Sequence, residues 1–371
     1  MAMSDWPQSG LLKLLGVDVP IVQAPMAGAH GAALTIAVSE AGGLGSLPCA
    51  LLDVDQIRGE LAAIRAATSR SVNVNFFCHA RPDIAAVAGD RWRRRLGRYY
   101  AEYGLDADAP SPVVDLEPFD AARCELVEEL HPEVVSFHFG LPDADLVARV
   151  RATGARVLSS ATTVDEARWL ADHGCDAVIA QGAEAGGHRG MFLAADIGDV
   201  ATQVGTLALV PQVADAVDIP VIAAGGIADG RGIAAAFALG ASGVQIGTAY
   251  LLCPEARVSA LHAAALRGPA AAQTALTNVF TGRPARSIVT RLMRDVGPLS
   301  PDVPAFPLAT GALLPLRAAA EQRADTSFTS LWSGQAAPLA RELPAGELTR
   351  TLAAEALQRL RSLQAPNAST D

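Results

Sequence analysis

His188 stands in the glycine-rich stretch AQGAEAGGHRG, residues 180–190, directly after an apolar run. An imidazole changes charge near neutral pH, so it can serve there as a general base or as a hydrogen-bond donor to an anion. Gly186 and Gly187 carry no Cβ and would let the backbone approach a ligand closely, although an ordinary turn uses the same residues. A second glycine cluster lies in PVIAAGGIADGRG, residues 220–232, and is followed by GVQIGTAY, residues 243–250. Gly225 and Gly226, the helix start near Gly230 and the turn at Gly247–Thr248 together read as a neutral cradle of N–H groups for a phosphate. Two tight strand-to-helix turns are the plainer alternative. No GxSxG, HExxH or GxxxxGK[ST] motif occurs. The five cysteines form no CxxC pair, so no metal site is expected. The single lysine, Lys13, precedes the first strand, which argues against Schiff-base chemistry.

These residues need elements to place them. Short runs, most of them β-branched, at 20–24, 43–47, 72–77, 134–139, 156–160, 177–182, 220–225 and 243–247 read as eight strands. Alanine-rich helical stretches separate them, and several end at a glycine suited to a left-handed C-cap. Eight βα units predict a (β/α)8 TIM barrel of the α/β class, with a smaller, mainly helical second domain or lid. An open doubly wound sheet would place a phosphate-binding glycine turn after the first strand, where Pro25 and Met26 stand instead. In a barrel, the active groups come from the carboxyl ends of strands. That rule gathers Pro25, Met26, Asn75, His138, Gln181, Gly225, Gly226, Gly247 and Thr248 on one rim. His138 reads either as a core histidine with a backbone partner or as a substrate contact. Tyr103, with Tyr99 and Tyr100, would bring a hydroxyl to the barrel mouth, or pack as one face of a helix. The expected organisation is a barrel over 1–81 and 120–267, an insertion over 82–119, a lid or substrate segment over 268–344, and a C-terminal helix and tail over 345–371.

The formal charge of −10 lacks the basic footprint of a nucleic-acid binder. The arginines at 91, 93, 94, 95 and 98 read as a solvated helix face, with anion steering as the alternative. Residues 232–254 contain no charge and are long enough to span a bilayer, but their glycines and polar residues favour a buried helix followed by a buried strand. No signal-peptide pattern opens the sequence, and scattered cysteines fit a reducing cytoplasm.

The ordered set PIVQAPMAG, NVNFFCH, VVSFHFGLP, AQGAEAGGHRG, PVIAAGGIADGRG and GVQIGTAYL resembles the nitronate monooxygenase family. TNVFTGRPARSIVTRLM and LWSGQAA extend the resemblance, which runs from about Pro20 to Ala337. The resemblance implies an FMN-dependent barrel with a smaller helical domain. It implies FMN contacts at Ala24, Met26, Asn75, Gln181, Gly186, Gly226 and Gln245 to Thr248, with His188 facing the substrate. The implied reaction takes an alkyl nitronate and O2 to a carbonyl compound and nitrogen oxyanions, with propionate 3-nitronate as the usual substrate. An NAD(P)H-dependent flavin reductase on the same barrel, and a non-catalytic barrel binding a phosphorylated ligand, are the alternatives. The enzyme is expected to be a monomer or homodimer, with neither a nucleic-acid nor a membrane partner.

Overall fold

The computed structural model describes residues 6–82, 89–112, 114 and 116–364. Its strands are β1 (Ile21–Gln23), β2 (Gly45–Pro48), β3 (Val72–Phe77), β4 (Val134–His138), β5 (Arg156–Ala161), β6 (Ala177–Gln181), the two-residue β7 (Gly187–His188), β8 (Val221–Ala224), β9 (Gly243–Ile246), β10 (Thr274–Thr277) and β11 (Ala285–Ile288). The helices are α1 (Gly10–Leu15), α2 (Ala32–Glu40), α3 (Val54–Ala67), α4 (Gly89–Tyr103), α5 (Ala121–Leu130), α6 (Ala144–Ala152), α7 (Val164–Asp172), α8 (Thr206–Ala214), α9 (Gly230–Ala238), α10 (Ala260–Arg267), α11 (Arg291–Val296), α12 (Ala309–Glu321) and α13 (Ala345–Gln364).

Eight strands pair in parallel in the order β1-β9-β8-β6-β5-β4-β3-β2. A parallel bridge between Val22 and Leu44 joins the two ends of that order, with Gln23 N donating to Leu44 O and Leu44 N to Ile21 O. The sheet therefore closes on itself, as the repeating βα pattern predicts. Strand alternation divides the residues. Val74 and Phe76 of β3 pack outward on Ile57 and Leu61 of α3 and Leu126 of α5. Asn73 and Asn75, one register step away, bond to Ser46 and Ser136 on the neighbouring strands β2 and β4. Local signals set helix starts: Asp53 and Gln56 form a capping box at α3, and Thr163 caps α7 through Glu166 N. The uncharged stretch at 232–254 includes most of α9 and all of β9. No helix among the described residues is long and apolar enough to cross a membrane.

The ring of helices is completed from the far end of the chain. α13 packs against α9 and α2, and its Leu348, Leu352, Ala353, Ala356 and Leu357 are buried in the barrel's core. Tyr250 and Thr349 share a buried hydrogen bond of 2.8 Å across this junction. α10 lies instead beside the short turns at 269–272 and 337–339. The sequence pattern sets 345–371 apart as a C-terminal helix and tail; α13 is that helix, and residues 365–371 lie outside the described residues.

A second core stands beside the first. Trp92, Leu96, Tyr99, Tyr100 and Tyr103 form one face of α4 and pack on Phe280, Leu292, Met293, Leu313, Leu316 and Phe328. A three-stranded antiparallel sheet, β10-β11-β7, links the two bodies, because β7 belongs to the loop that follows barrel strand β6.

Candidate active site

The loop after β6 is held by buried polar groups rather than by packing alone. Gln181 Nε2 donates to the His188 carbonyl at 2.9 Å, and Gln181 Oε1 accepts from Gly190 N at 2.8 Å. Arg189 is fully buried. Its guanidinium donates to Gly182 O, Gln181 O and Gln203 Oε1, folding the loop back on its own strand. Glu166, also buried, accepts from Phe192 N and Leu193 N and anchors the far end of the loop. On the other side, Ala285 and Arg286 of β11 pair with His188 and Gly187.

These anchors set the His188 ring among Phe77, Phe139, Phe306 and Trp332, with centroids 6.3, 5.9, 5.3 and 5.3 Å away. Nε2 meets the Thr281 hydroxyl at 2.9 Å. Burial, reinforced by the nearby His138, Arg283 and His79, lowers the His188 pKa to about 3. The imidazole is therefore neutral at physiological pH.

His138 does not present a free ring nitrogen. Its Nε2 donates to the His188 carbonyl at 3.2 Å, so its Nδ1 must accept, and it does so from the Ser160 hydroxyl at 2.6 Å. Burial, with help from Arg283, holds its pKa near 3. Of its two expected roles, the geometry matches the histidine that braces backbone. Tyr103 lies outside this group. Its hydroxyl donates to Asp325 and its ring packs edge-on to Phe328, within the second core. The physical reason is the helical spacing of α4, which commits the aromatic stripe to packing.

A second cluster of atoms converges at the carboxyl ends of β6, β8 and β9. A Cβ on Gly186 would lie 2.5 Å from Gly334 N, and one on Gly334 would lie 3.1 Å from Gly186 N. Gly334 N in turn donates to Thr248 Oγ1 at 2.9 Å. Gly225 and Gly226 both hold positive φ, +113° and +70°. The backbone N–H groups of Gly226 and Thr248 have no partner among the described residues. Gly247 faces Ala24 and Met26, with its notional Cβ 3.4 Å from Ala24 Cβ and 3.6 Å from Met26 Sδ. Pro25 and Ile246 are carried on the same strand ends, and Asn75 donates to Ser136 from the end of β3. One expected donor set is absent from the cradle. The first N–H groups of α9 are taken, Arg231 N and Gly232 N by Asp229 and Gly230 N by Glu355, so the cap prevents that helix start from serving a phosphate.

This geometry provides a direct check for a bound group with a phosphate tail and polar ring edges. The buried Gln245 Oε1 has no hydrogen-bond partner, which is costly unless a ligand donates to it. The backbone around Gly187 leaves nothing within 4 Å of where a side chain would start. With free amides at Gly226 and Thr248, the residues fit such a group.

The sequence profile described as nitronate monooxygenase matches residues 8–355. The chain belongs to the nitronate monooxygenase family. A nitronate monooxygenase of Pseudomonas aeruginosa is 46% identical over 346 residues, covering 92% of this chain and 97% of the relative. One from Paraburkholderia phytofirmans is 42% identical over 360 residues, covering 95% and 96%. Among solved structures, a nitroalkane oxidase from Streptomyces ansochromogenes superposes with a TM-score of 0.86 at 42% identity, covering 96% of this chain and all of that one. FabK from Thermotoga maritima superposes at 0.70 with 28% identity, covering 95% and 97%. In this nitronate monooxygenase-family chain, His188 and the glycine turns that the sequence singles out lie at the carboxyl end of the barrel. Sequence reasoning missed Thr281, Arg283, Phe306 and Trp332, which come from beyond the barrel strands. Thr281, Arg283 and Trp332 lie in the TGRPAR and LWSG stretches, whose meaning depends on tertiary folding, and Phe306 lies in a proline-rich stretch that carries no such signal.

Proposed function

We propose that the protein is a flavin-dependent nitronate monooxygenase that binds FMN and oxidises small alkyl nitronates with O2. The reading rests chiefly on one observation: His188 and the amide cradle share one rim, in a chain matched by this family over nearly its whole length. Gly226, Thr248 and the Gly186–Gly334 junction would hold the phosphate, and Gln245, Met26, Ala24 and Asn75 would line the ring. FMN would supply an acceptor for substrate electrons and a route from them to O2.

The residues then bind, orient and exclude water. The aromatic walls Phe77, Phe139, Phe306 and Trp332 suit a short alkyl chain. The Arg283 guanidinium lies 3.9 Å over the Phe139 ring and contributes positive charge to the region in which both histidines are neutral. Such a field favours an anionic substrate. His188 faces that substrate, and its replacement by Asn should reduce kcat/KM on a neutral nitroalkane by about 10²–10⁴-fold, the usual contribution of a positioned base.

The deciding experiment is an absorbance spectrum of the purified protein under anaerobic conditions. Propionate 3-nitronate should bleach the visible flavin bands and air should restore them. Bleaching by NADH with no response to the nitronate would overturn the reading in favour of a reductase. A colourless protein that takes up no FMN would leave a binding barrel.

A further inference from the structure

Thr281 lies in the stretch connecting β10 and β11, outside the barrel, yet its hydroxyl is the hydrogen-bond partner of the His188 ring. The hydroxyl oxygen is 2.9 Å from His188 Nε2 and 3.3 Å from the Arg283 carbonyl. A hydroxyl carries one proton and can accept as well as donate. The carbonyl can only accept, so the arrangement that satisfies both contacts runs in one direction. Nε2–H donates to Thr281 Oγ1, and Thr281 O–H donates to Arg283 O. The reverse chain would leave the Arg283 carbonyl without the hydroxyl proton and would rely on the Arg283 N–H, 3.5 Å from the hydroxyl and the longer of the two contacts. His188 Nδ1 has no hydrogen bond among the described residues, and four aromatic side chains restrict the ring from turning over.

We infer that Thr281 is a positioning residue that fixes His188 as the Nε2–H tautomer, leaving the Nδ1 lone pair as the atom that takes a proton from substrate. The inference rests on the function proposed above and adds a residue and an atom to it. With a neutral nitroalkane, the C–H bond next to the nitro group breaks, its electron pair remains on the substrate as the nitronate, and the proton passes to Nδ1, where the negative charge formed beside the ring offsets the burial that otherwise keeps it neutral. A substrate that arrives as the nitronate needs no such step. Thr281 therefore matters for one ionisation state of the substrate and hardly for the other.

The test combines a spectrum with kinetics, on the enzyme as purified. In protein labelled with 15N-histidine, the His188 resonances are assigned by their loss in His188→Asn. Wild type should show a protonated Nε2 and an unprotonated Nδ1. Thr281→Ser should keep that pattern, and Thr281→Val should shift it toward a mixture of tautomers. kcat/KM on neutral nitroethane should fall about tenfold in Thr281→Val, the equivalent of one lost neutral hydrogen bond, and recover in Thr281→Ser. Turnover of the preformed anion should stay within about twofold of wild type. A wild-type ring protonated on Nδ1 would overturn the inference, and so would a Val variant with the wild-type spectrum or an unchanged ratio between the two substrates. If the spectra behave as expected and neither substrate is consumed, the proposed function fails while the tautomer assignment stands.

Discussion

His30 illustrates what a single buried ring does to the pH response of this protein. Its Nε2 accepts from Met26 N and lies 3.0 Å from Gln23 Nε2, so the ring must be neutral to make these contacts. Burial lowers its pKa from 6.5 to about 4. The unfolded chain then binds a proton that the folded chain refuses throughout that window. The resulting stability is fully present above pH 6.5 and is lost as pH falls toward 4. His138 and His188 act in the same direction. Melting temperature should therefore drop between about pH 7 and about pH 5, and the drop should be smaller in His30→Gln. A flat profile in wild type would contradict this. At this scale the sequence was legible where chemistry is concentrated in a short motif, as in GGHRG. It left Tyr103 open between two uses, because an aromatic at a helical period serves packing and binding with the same pattern, and the structure gives the packing one.

Among the elements, the loop after β6 and the 331–334 stretch depend on each other through glycine. Gly186 and Gly334 approach so closely that a methyl group on either would meet backbone, which cannot swing aside as a side chain can. Gly186→Ala should push the two segments apart and lower the flavin content of the purified protein several-fold, while far-UV circular dichroism stays near wild type. Full flavin content in that variant would mean the junction does not form the cradle. Seven of the eight barrel strands were readable from composition, since each is a short run containing Val or Ile and bounded by turns; β2, with the sequence GSLP, was legible only from its place in the βα rhythm. β10 and β11 were not. They are four residues each, their sequences TALT and ARSI carry little hydrophobic signal, and they are stabilised by pairing rather than by propensity. The helix start at α9 was read as a donor of free amides, but Asp229, one residue earlier, claims them, and which amides its carboxylate reaches is a matter of geometry.

For the molecule as a whole, the position of α13 makes the barrel depend on residues about a hundred positions after its last strand. Leu348, Leu352 and Leu357 are buried there, each worth about 1.5–3 kcal/mol. Their sum is comparable to the entire net stability of a typical domain, about 5–15 kcal/mol. A chain ending before Ala345 should therefore be largely insoluble, whereas Leu363→Glu, at an exposed site on the same helix, should leave the melting temperature within a degree or two. Soluble yield and a thermal melt distinguish these outcomes.

The sheet β10-β11-β7 has an implication for anyone who would redesign this enzyme. His188 is supported by backbone from two separately packed bodies, so the smaller body cannot be exchanged as a neutral accessory. A chimera taking that body from another relative would import a new neighbour for the imidazole along with a new cover. Substrate preference and proton affinity would then change together, as inherited traits of one graft.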